Sequence, residues 1–249
     1  MAAPELLYGV HAVAETLRAG RRQVSGLWYH RQKRRPEIEA ILGMAAAARI
    51  AVTVMELAHL TRLCHSPHHQ GMVLRASAYP YTPFETLVSQ AQAAGPPLLI
   101  VLDHVQDVGN FGAMIRLALC CGAHGLIVSR DHAVGVTPAV VRGAAGATEW
   151  LGIAQVVNVR NAITYLKNHH IWTVALEAGA ATPVYAHDFR DGEAIVLGGE
   201  GKGVRRLVRD ECDATLSIPQ VGPLDSLNVT MAGAIVLGEV LRQRQPKTT

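Results

Sequence analysis

From Leu98 onward the chain alternates between short apolar runs and helix-length stretches, and this rhythm limits its fold more than any other feature. "LLIVLDHV", "GLIVS", "IAQVV", "IWTVALE", "AIVLGGE" and "ATLSIP" read as strands. "AMIRLALCCG", "TPAVVRGAAGA", "RNAITYLKNHH" and "GVRRLVRDEC" fall between them and read as helices. A strand that is apolar at successive positions is buried on both faces, so the pattern predicts an α/β fold with a parallel sheet between helices. The long helix that ends the chain is apolar nearly all round, so it is buried or packs on a partner subunit. Ligands in such sheets bind beyond the carboxyl ends of strands. The chemistry is therefore expected just after "IVLD", "IVLGG" and "LSIP".

Before Leu98 the organisation differs. "GVHAVAETLRAG" predicts a helix stopped by Gly20, and "VSGLWYH" a strand. "RQKRRP" is a basic loop whose Pro36 suits the first position of the helix "EIEAILGMAAAAR". "IAVTVM", "ELAHLTRLC" and "GMVLRA" continue as strand, helix and strand. Residues 1–76 thus form a small α/β module. Residues 77–97, rich in Pro and Ala, read as a linker with at least one helical turn, and residues 98–249 as the second domain.

Charge divides the same way. Residues 1–76 carry ten Lys and Arg against five Asp and Glu, a balance of +5, whereas the remainder carries thirteen against fifteen, a balance of −2. A basic module on a near-neutral domain suggests docking of an anionic macromolecule, with nucleic acid the first candidate. No run approaches the roughly 18 apolar residues of a membrane span, and the N-terminus lacks a basic region followed by an apolar one, so a cytoplasmic location is expected. Cys64, Cys120, Cys121 and Cys212 form no CxxC and are expected to be reduced, buried thiols. "CHSPHHQG" offers Cys64, His65, His68 and His69, but the spacing matches no common zinc pattern, so no metal is expected.

Three loops carry candidate chemistry. In "DHVQDVGNFGAMIR" a helix is expected to start near Asn110, which is placed as a cap or loop ligand, with Arg116 projecting from that helix. In "LGGEGKGVRR" the glycines at 198, 199, 201 and 203 satisfy neither GxxxxGK[ST] nor GxGxxG, which rejects the two familiar phosphate loops and with them a dinucleotide-dependent dehydrogenase. What remains is a backbone open to close approach, with Glu200 at its centre. Lys202, Arg205 and Arg206 read equally well as RNA contacts or as a solvated helix face. In "LSIPQVGPLDSLNVTMAGAIVLGE" an irregular Pro and Gly loop leads to Ser226 and Asn228, which open the last helix, with Ser226 alone readable as an N-cap. Serine hydrolase chemistry fits poorly, because Ser226 is not in GxSxG.

Together and in order, "NFGAMIR", "LGGEGKGVRRL" and "LSIPQVGPLDSLNVTMAGAIVLGE" resemble the SPOUT superfamily of RNA methyltransferases, and within it the SpoU/TrmH group. "LYGVHAVAETLRAG" and "HHQGMVLRA" resemble that group's ribosomal-protein-like RNA-binding domain, so the resemblance spans nearly the whole chain. It implies an α/β knot, a homodimer, and transfer of methyl from S-adenosylmethionine to a ribose 2′-hydroxyl, most similarly to enzymes acting on guanosine in large-subunit (23S) rRNA. It maps catalytic motifs onto Asn110, Arg116, Glu200, Ser226 and Asn228, and donor contacts onto Gly198, Ile218 and Leu227. RNA would be gripped through Arg31, Lys33, Arg34 and Arg35, by phosphate contacts whose affinity falls with salt. One departure is Val108 and Gly109, where close relatives more often have Pro and His; it touches substrate fit rather than the reaction.

The resemblance assigns the proton of the attacking hydroxyl to Arg116. A guanidinium is a very weak acid and normally charged. Stabilising the RNA phosphate or the developing alkoxide is therefore the easier role. Two other readings keep the fold: a tRNA ribose methyltransferase, and a non-catalytic RNA-binding or assembly protein.

Overall fold

The computed structural model describes residues 3–31, 35–131, 133–199, 203–223 and 226–245. In chain order the elements begin β1 (Glu5–Tyr8), α1 (Val10–Ala19), β2 (Val24–Tyr29), α2 (Pro36–Ala47), β3 (Val52–Val54), α3 (Leu57–Cys64) and β4 (Met72–Ala76). They continue α4 (Phe84–Ala93), β5 (Leu98–Asp103), α5 (Val108–Cys120), β6 (Gly125–Ser129), α6 (Pro138–Gly143), β7 (Gly152–Val156) and α7 (Val159–Asn168). The rest are β8 (Trp172–Leu176), β9 (Thr182–Pro183), β10 (Glu193–Gly198), α8 (Arg206–Arg209), β11 (Ala214–Ser217) and α9 (Val229–Arg244). Two short strands, β1 and β9, are too brief to stand out in the sequence. The helix expected over "GVRRLVRDEC" shrinks to the four residues of α8.

The chain forms two units. One comprises residues 1–80 with 136–150, the other 81–135 with 151–249. The stretch 136–150, which the strand–helix rhythm assigns to the second domain, therefore packs with the first unit. There, β1, β4, β2 and β3 form a four-stranded sheet, antiparallel except for β2 and β3. Gly20 ends α1 in the left-handed region (φ 62°), and Pro36 starts α2, both as the sequence predicts. Arg22, 5% exposed, pairs with Glu5 at 2.6 Å and Glu149 at 2.9 Å. It also lies over the Tyr79 ring, 5.0 Å from the centroid. Buried charge persists only when paired in this way, and Glu149 ties residues 136–150 to the sheet. Burial pushes the Tyr79 phenol up to about 12, against the opposing charge of Arg21. Its hydroxyl donates to the Thr148 carbonyl at 3.1 Å. Tyr79→Phe removes this bond and leaves the Arg21 Nη1, at 3.3 Å, as that carbonyl's donor, so it should cost about 1 kcal/mol in urea unfolding; an unchanged midpoint would count against this bond.

In the second unit seven strands run parallel in the order β7-β6-β5-β10-β8-β11-β9. Every residue of β5 is buried, which explains its unbroken apolar run. Leu99 and Val101 join Leu87, Val88 and Ala91 of α4 and Ile163 and Leu166 of α7 in one apolar cluster. Strand alternation sends Ile100 and Leu102 to the opposite face. α5 offers Phe111, Met114, Ile115 and Ala118 at helical spacing, all 0% exposed. α9 packs along α5, and a Cβ on its Gly233 would stand 2.6 Å from the Met114 Cε. The linker stretch 77–97 thus contains a full three-turn helix with a core-facing side. Among the described residues no helix is long and apolar enough to cross a membrane.

Candidate active site

Parallel pairing places the carboxyl ends of β5, β10 and β11 on one edge of the sheet. At the first end, extended Asp107 caps α5, its Oδ1 accepting from the Asn110 backbone N–H at 2.7 Å. The helix therefore starts two residues before Asn110, which is neither a cap nor a loop residue but part of the first turn. Arg116 lies six residues further along α5, exposed to solvent. At about 100° per residue the two side chains diverge by roughly 120°, so α5 does not bring them onto a shared face.

The third loop returns to the first. The Asn228 Nδ2 donates to the Asn110 Oδ1 at 2.9 Å, across 118 positions of sequence. Its own Oδ1 accepts from the backbone of Thr230 at 2.8 Å and of Met231 at 3.4 Å. One amide group thus caps α9 and holds Asn110. The N-cap is Asn228 rather than Ser226, which is exposed and lies two residues before the cap. The Thr230 hydroxyl adds longer contacts to the Asn110 carbonyl and Oδ1, both 3.4 Å.

The glycine loop is shaped by the chain's own backbone. A Cβ on Gly198 would stand 1.9 Å from the Gly203 carbonyl carbon, and one on Gly199 2.1 Å from the His104 oxygen. Gly199 and Gly203 bridge each other, and Gly203 has φ +62°. These absent side chains admit neighbouring main chain rather than only a ligand. Glu200 and Lys202 lie outside the described residues. Arg205 forks onto Asp103, with Nε to Oδ1 at 2.9 Å and Nη2 to Oδ1 at 2.7 Å, so its charge is paired although its side chain is 46% exposed. Arg206 is the more exposed of the two, with its side chain at 84%, and pairs with Asp210 at 3.3 Å. Sequence reasoning passed over Asp103, although a carboxylate closing a strand buried on both faces needs a charged or hydrogen-bonding partner.

Ile218 follows β11 and is half-buried; Leu227 precedes α9 and is 37% exposed. Partly uncovered apolar side chains beside strand-end main-chain groups suit a ligand with a flat ring and a polar edge. In the first unit Arg31 and Arg35 are exposed, while Lys33 and Arg34 lie outside the described residues. Arg35 borders a cleft of about 390 Å³ with His11, Ile38 and Gln70. His69 uses both ring nitrogens internally, Nδ1 accepting from Gly71 N–H and Nε2 facing the Thr61 hydroxyl at 2.9 Å. Burial lowers its pKa. Among the described residues no three His, Cys, Asp or Glu side chains converge as a metal site.

The pattern of the SpoU rRNA Methylase family matches residues 97–238, more than half of the chain. The chain belongs to that family. A second pattern, RNA 2′-O ribose methyltransferase substrate binding, matches residues 6–82. The 23S rRNA (guanosine-2′-O-)-methyltransferase RlmB of Ralstonia nicotianae is 34% identical over 245 residues, covering 98% of each chain. A putative TrmH family tRNA/rRNA methyltransferase of Bacillus subtilis is 32% identical over 248 residues, covering 97% of each. The crystal structure of the SpoU methyltransferase AviRb from Streptomyces viridochromogenes with AdoMet superposes with a TM-score of 0.80 at 26% identity, covering 96% of this chain and 90% of that one. The SpoU assignment bears out the fold class and the methyltransferase reading made from the three motifs.

Proposed function

We propose that this SpoU protein transfers a methyl group from S-adenosylmethionine to the ribose 2′-hydroxyl of a guanosine in 23S rRNA. The Asn110–Asn228 bond carries this reading, because it joins the first and third family motifs at the edge of the sheet where ligands bind. Full-length similarity to 23S rRNA guanosine methyltransferases supports the substrate. The donor supplies an electrophilic methyl on a sulfonium; the protein supplies position and electrostatics. Gly198, Ile218 and Leu227 hold the donor through main chain and apolar contact. Asn110 and Asn228, locked to each other, and Ser226 hold the ribose side, and Glu200 is the family's second catalytic motif. Orientation of this kind removes much of a bimolecular barrier.

Arg116 stabilises charge on the RNA phosphate or the developing alkoxide. The Arg116→Lys variant distinguishes this from proton abstraction. Electrostatic action predicts a residual rate that stays flat as pH rises from 7 to 9.5, whereas a base would recover rate as the lysine deprotonates. Single-turnover methylation across that range checks it.

The first unit grips RNA through Arg31, Lys33, Arg34 and Arg35, consistent with its charge of +5 over residues 1–76. The domain roles are RNA binding for 1–76 and methyl transfer for 98–249, with 77–97 between. Val221, Leu227 and Met231, which are 107%, 37% and 63% exposed, support a homodimer through the start of α9. The return of α9 to α5, far from β11 in the sheet plan, is compatible with a threaded knot. The protein acts in the cytoplasm, where such an RNA substrate is made. Mapping ribose methylation across total RNA with and without the gene tests the function. One guanosine of 23S rRNA should lose its methyl group. A lost tRNA mark would move the substrate, and an unchanged map would overturn the enzymatic reading.

A further inference from the structure

We propose that Asp103 and Arg205 are positioning residues for the methyl-donor loop, a role that rests on Gly198 being a donor contact. Asp103 ends β5 with its side chain 0% exposed. Its carboxylate receives the Arg205 guanidinium as a fork, Oδ1 from Nε at 2.9 Å and from Nη2 at 2.7 Å. Its Oδ2 also accepts the Arg205 backbone N–H at 2.9 Å, and its own carbonyl accepts the Gly199 N–H at 2.8 Å. One residue of β5 therefore holds the main chain on both sides of the stretch 200–202, entering at Gly199 and leaving toward Arg205.

The surrounding contacts give that clamp its meaning. Gly198 and Gly199 leave no room for a Cβ, so the loop ends are already at their closest approach. A small slip of either end moves Gly198. Because Gly198 is the donor contact, such a slip weakens donor binding and is made up by saturating donor. A purely stabilising role is a weak explanation for the pair, since the Arg205 side chain is 46% exposed and solvent screening leaves such pairs contributing little to stability. A direct RNA role is weaker too: the Arg205 charge is neutralised at close range, and two of its three guanidinium nitrogens are engaged. Bidentate geometry is what lysine cannot reproduce.

The test uses the full-length protein and three variants, Arg205→Ala, Arg205→Lys and Asp103→Asn. Binding of S-adenosylmethionine is measured by calorimetry, RNA binding by filter retention, and methylation under donor-limited and donor-saturating conditions. Arg205→Ala, which keeps the backbone bond to Asp103, should weaken donor binding at least tenfold. Its RNA affinity should stay within twofold of the parent and its rate at saturating donor within threefold. Arg205→Lys should recover only part of the donor affinity, and folded Asp103→Asn should match Arg205→Ala. If Asp103→Asn does not fold, the two Arg205 variants decide. Donor affinity within twofold of the parent, or a loss confined to RNA affinity, overturns the positioning role alone. An unaltered protein that fails to bind S-adenosylmethionine at all overturns the donor-site reading as well.

Discussion

Gly198→Ala should abolish measurable binding of S-adenosylmethionine, an effect of roughly 100-fold or more, and lower stability by about 3 kcal/mol. The new methyl group would sit 1.9 Å from the Gly203 carbonyl carbon and 2.1 Å from the Val204 nitrogen. Both are main-chain atoms, so no side-chain rotation relieves the overlap and the loop must open. Opening it strains the Gly199–Gly203 bridge and the fork from Arg205 to Asp103. Gly43→Ala is the matched control. Gly43 lies inside α2 with nothing within 4 Å of an added Cβ, so alanine there should be neutral or stabilise by up to about 1 kcal/mol. Calorimetry with the donor and chemical denaturation of both variants give the comparison. Gly198→Ala with parental donor affinity would remove this loop from the site.

Asn228→Ala should reduce kcat/KM by about 100-fold while costing only about 1 kcal/mol of stability through the lost cap. The two effects separate with Asn228→Asp. Aspartate is an equally good N-cap, so the bonds from Thr230 and Met231 survive and stability should hold. It has no N–H to give the Asn110 Oδ1, and it places a second acceptor against that oxygen. The activity of Asn228→Asp should therefore fall as far as that of Asn228→Ala, with the melting temperature nearly unchanged. Full activity in the aspartate variant would mean that Asn228 serves only the helix.

Much of the second unit was legible in the sequence because its strands are buried on both faces, leaving unbroken apolar runs that few other environments produce. Gly20 and Pro36 were legible for local reasons, each being required by the backbone conformation it adopts. The helix starts were harder. Asp107, Asn110, Ser226 and Asn228 are all credible caps, and sequence alone does not rank them. Asp107 and Asn228 take the role because of where α5 and α9 are held, which places Asn228 against Asn110. Arg205 illustrates the same limit, since its partner is 102 residues away and nothing local distinguishes it from Arg206, which pairs within its own helix turn.

The sequence by itself determined the parallel α/β sheet, the basic first module, the rejection of phosphate loops, and the three motifs that mark an RNA methyltransferase. The first three follow from periodicity, charge and glycine spacing, which are properties of neighbouring residues, and the motifs speak through their resemblance to the SpoU group. Only the tertiary structure decided that Asn228 reaches Asn110, that Arg205 closes on Asp103, and that the glycines at 198 and 199 make room for the chain itself. Each depends on segments distant in sequence meeting at one edge of the sheet. Such meetings are set by strand order and packing, which no local pattern encodes.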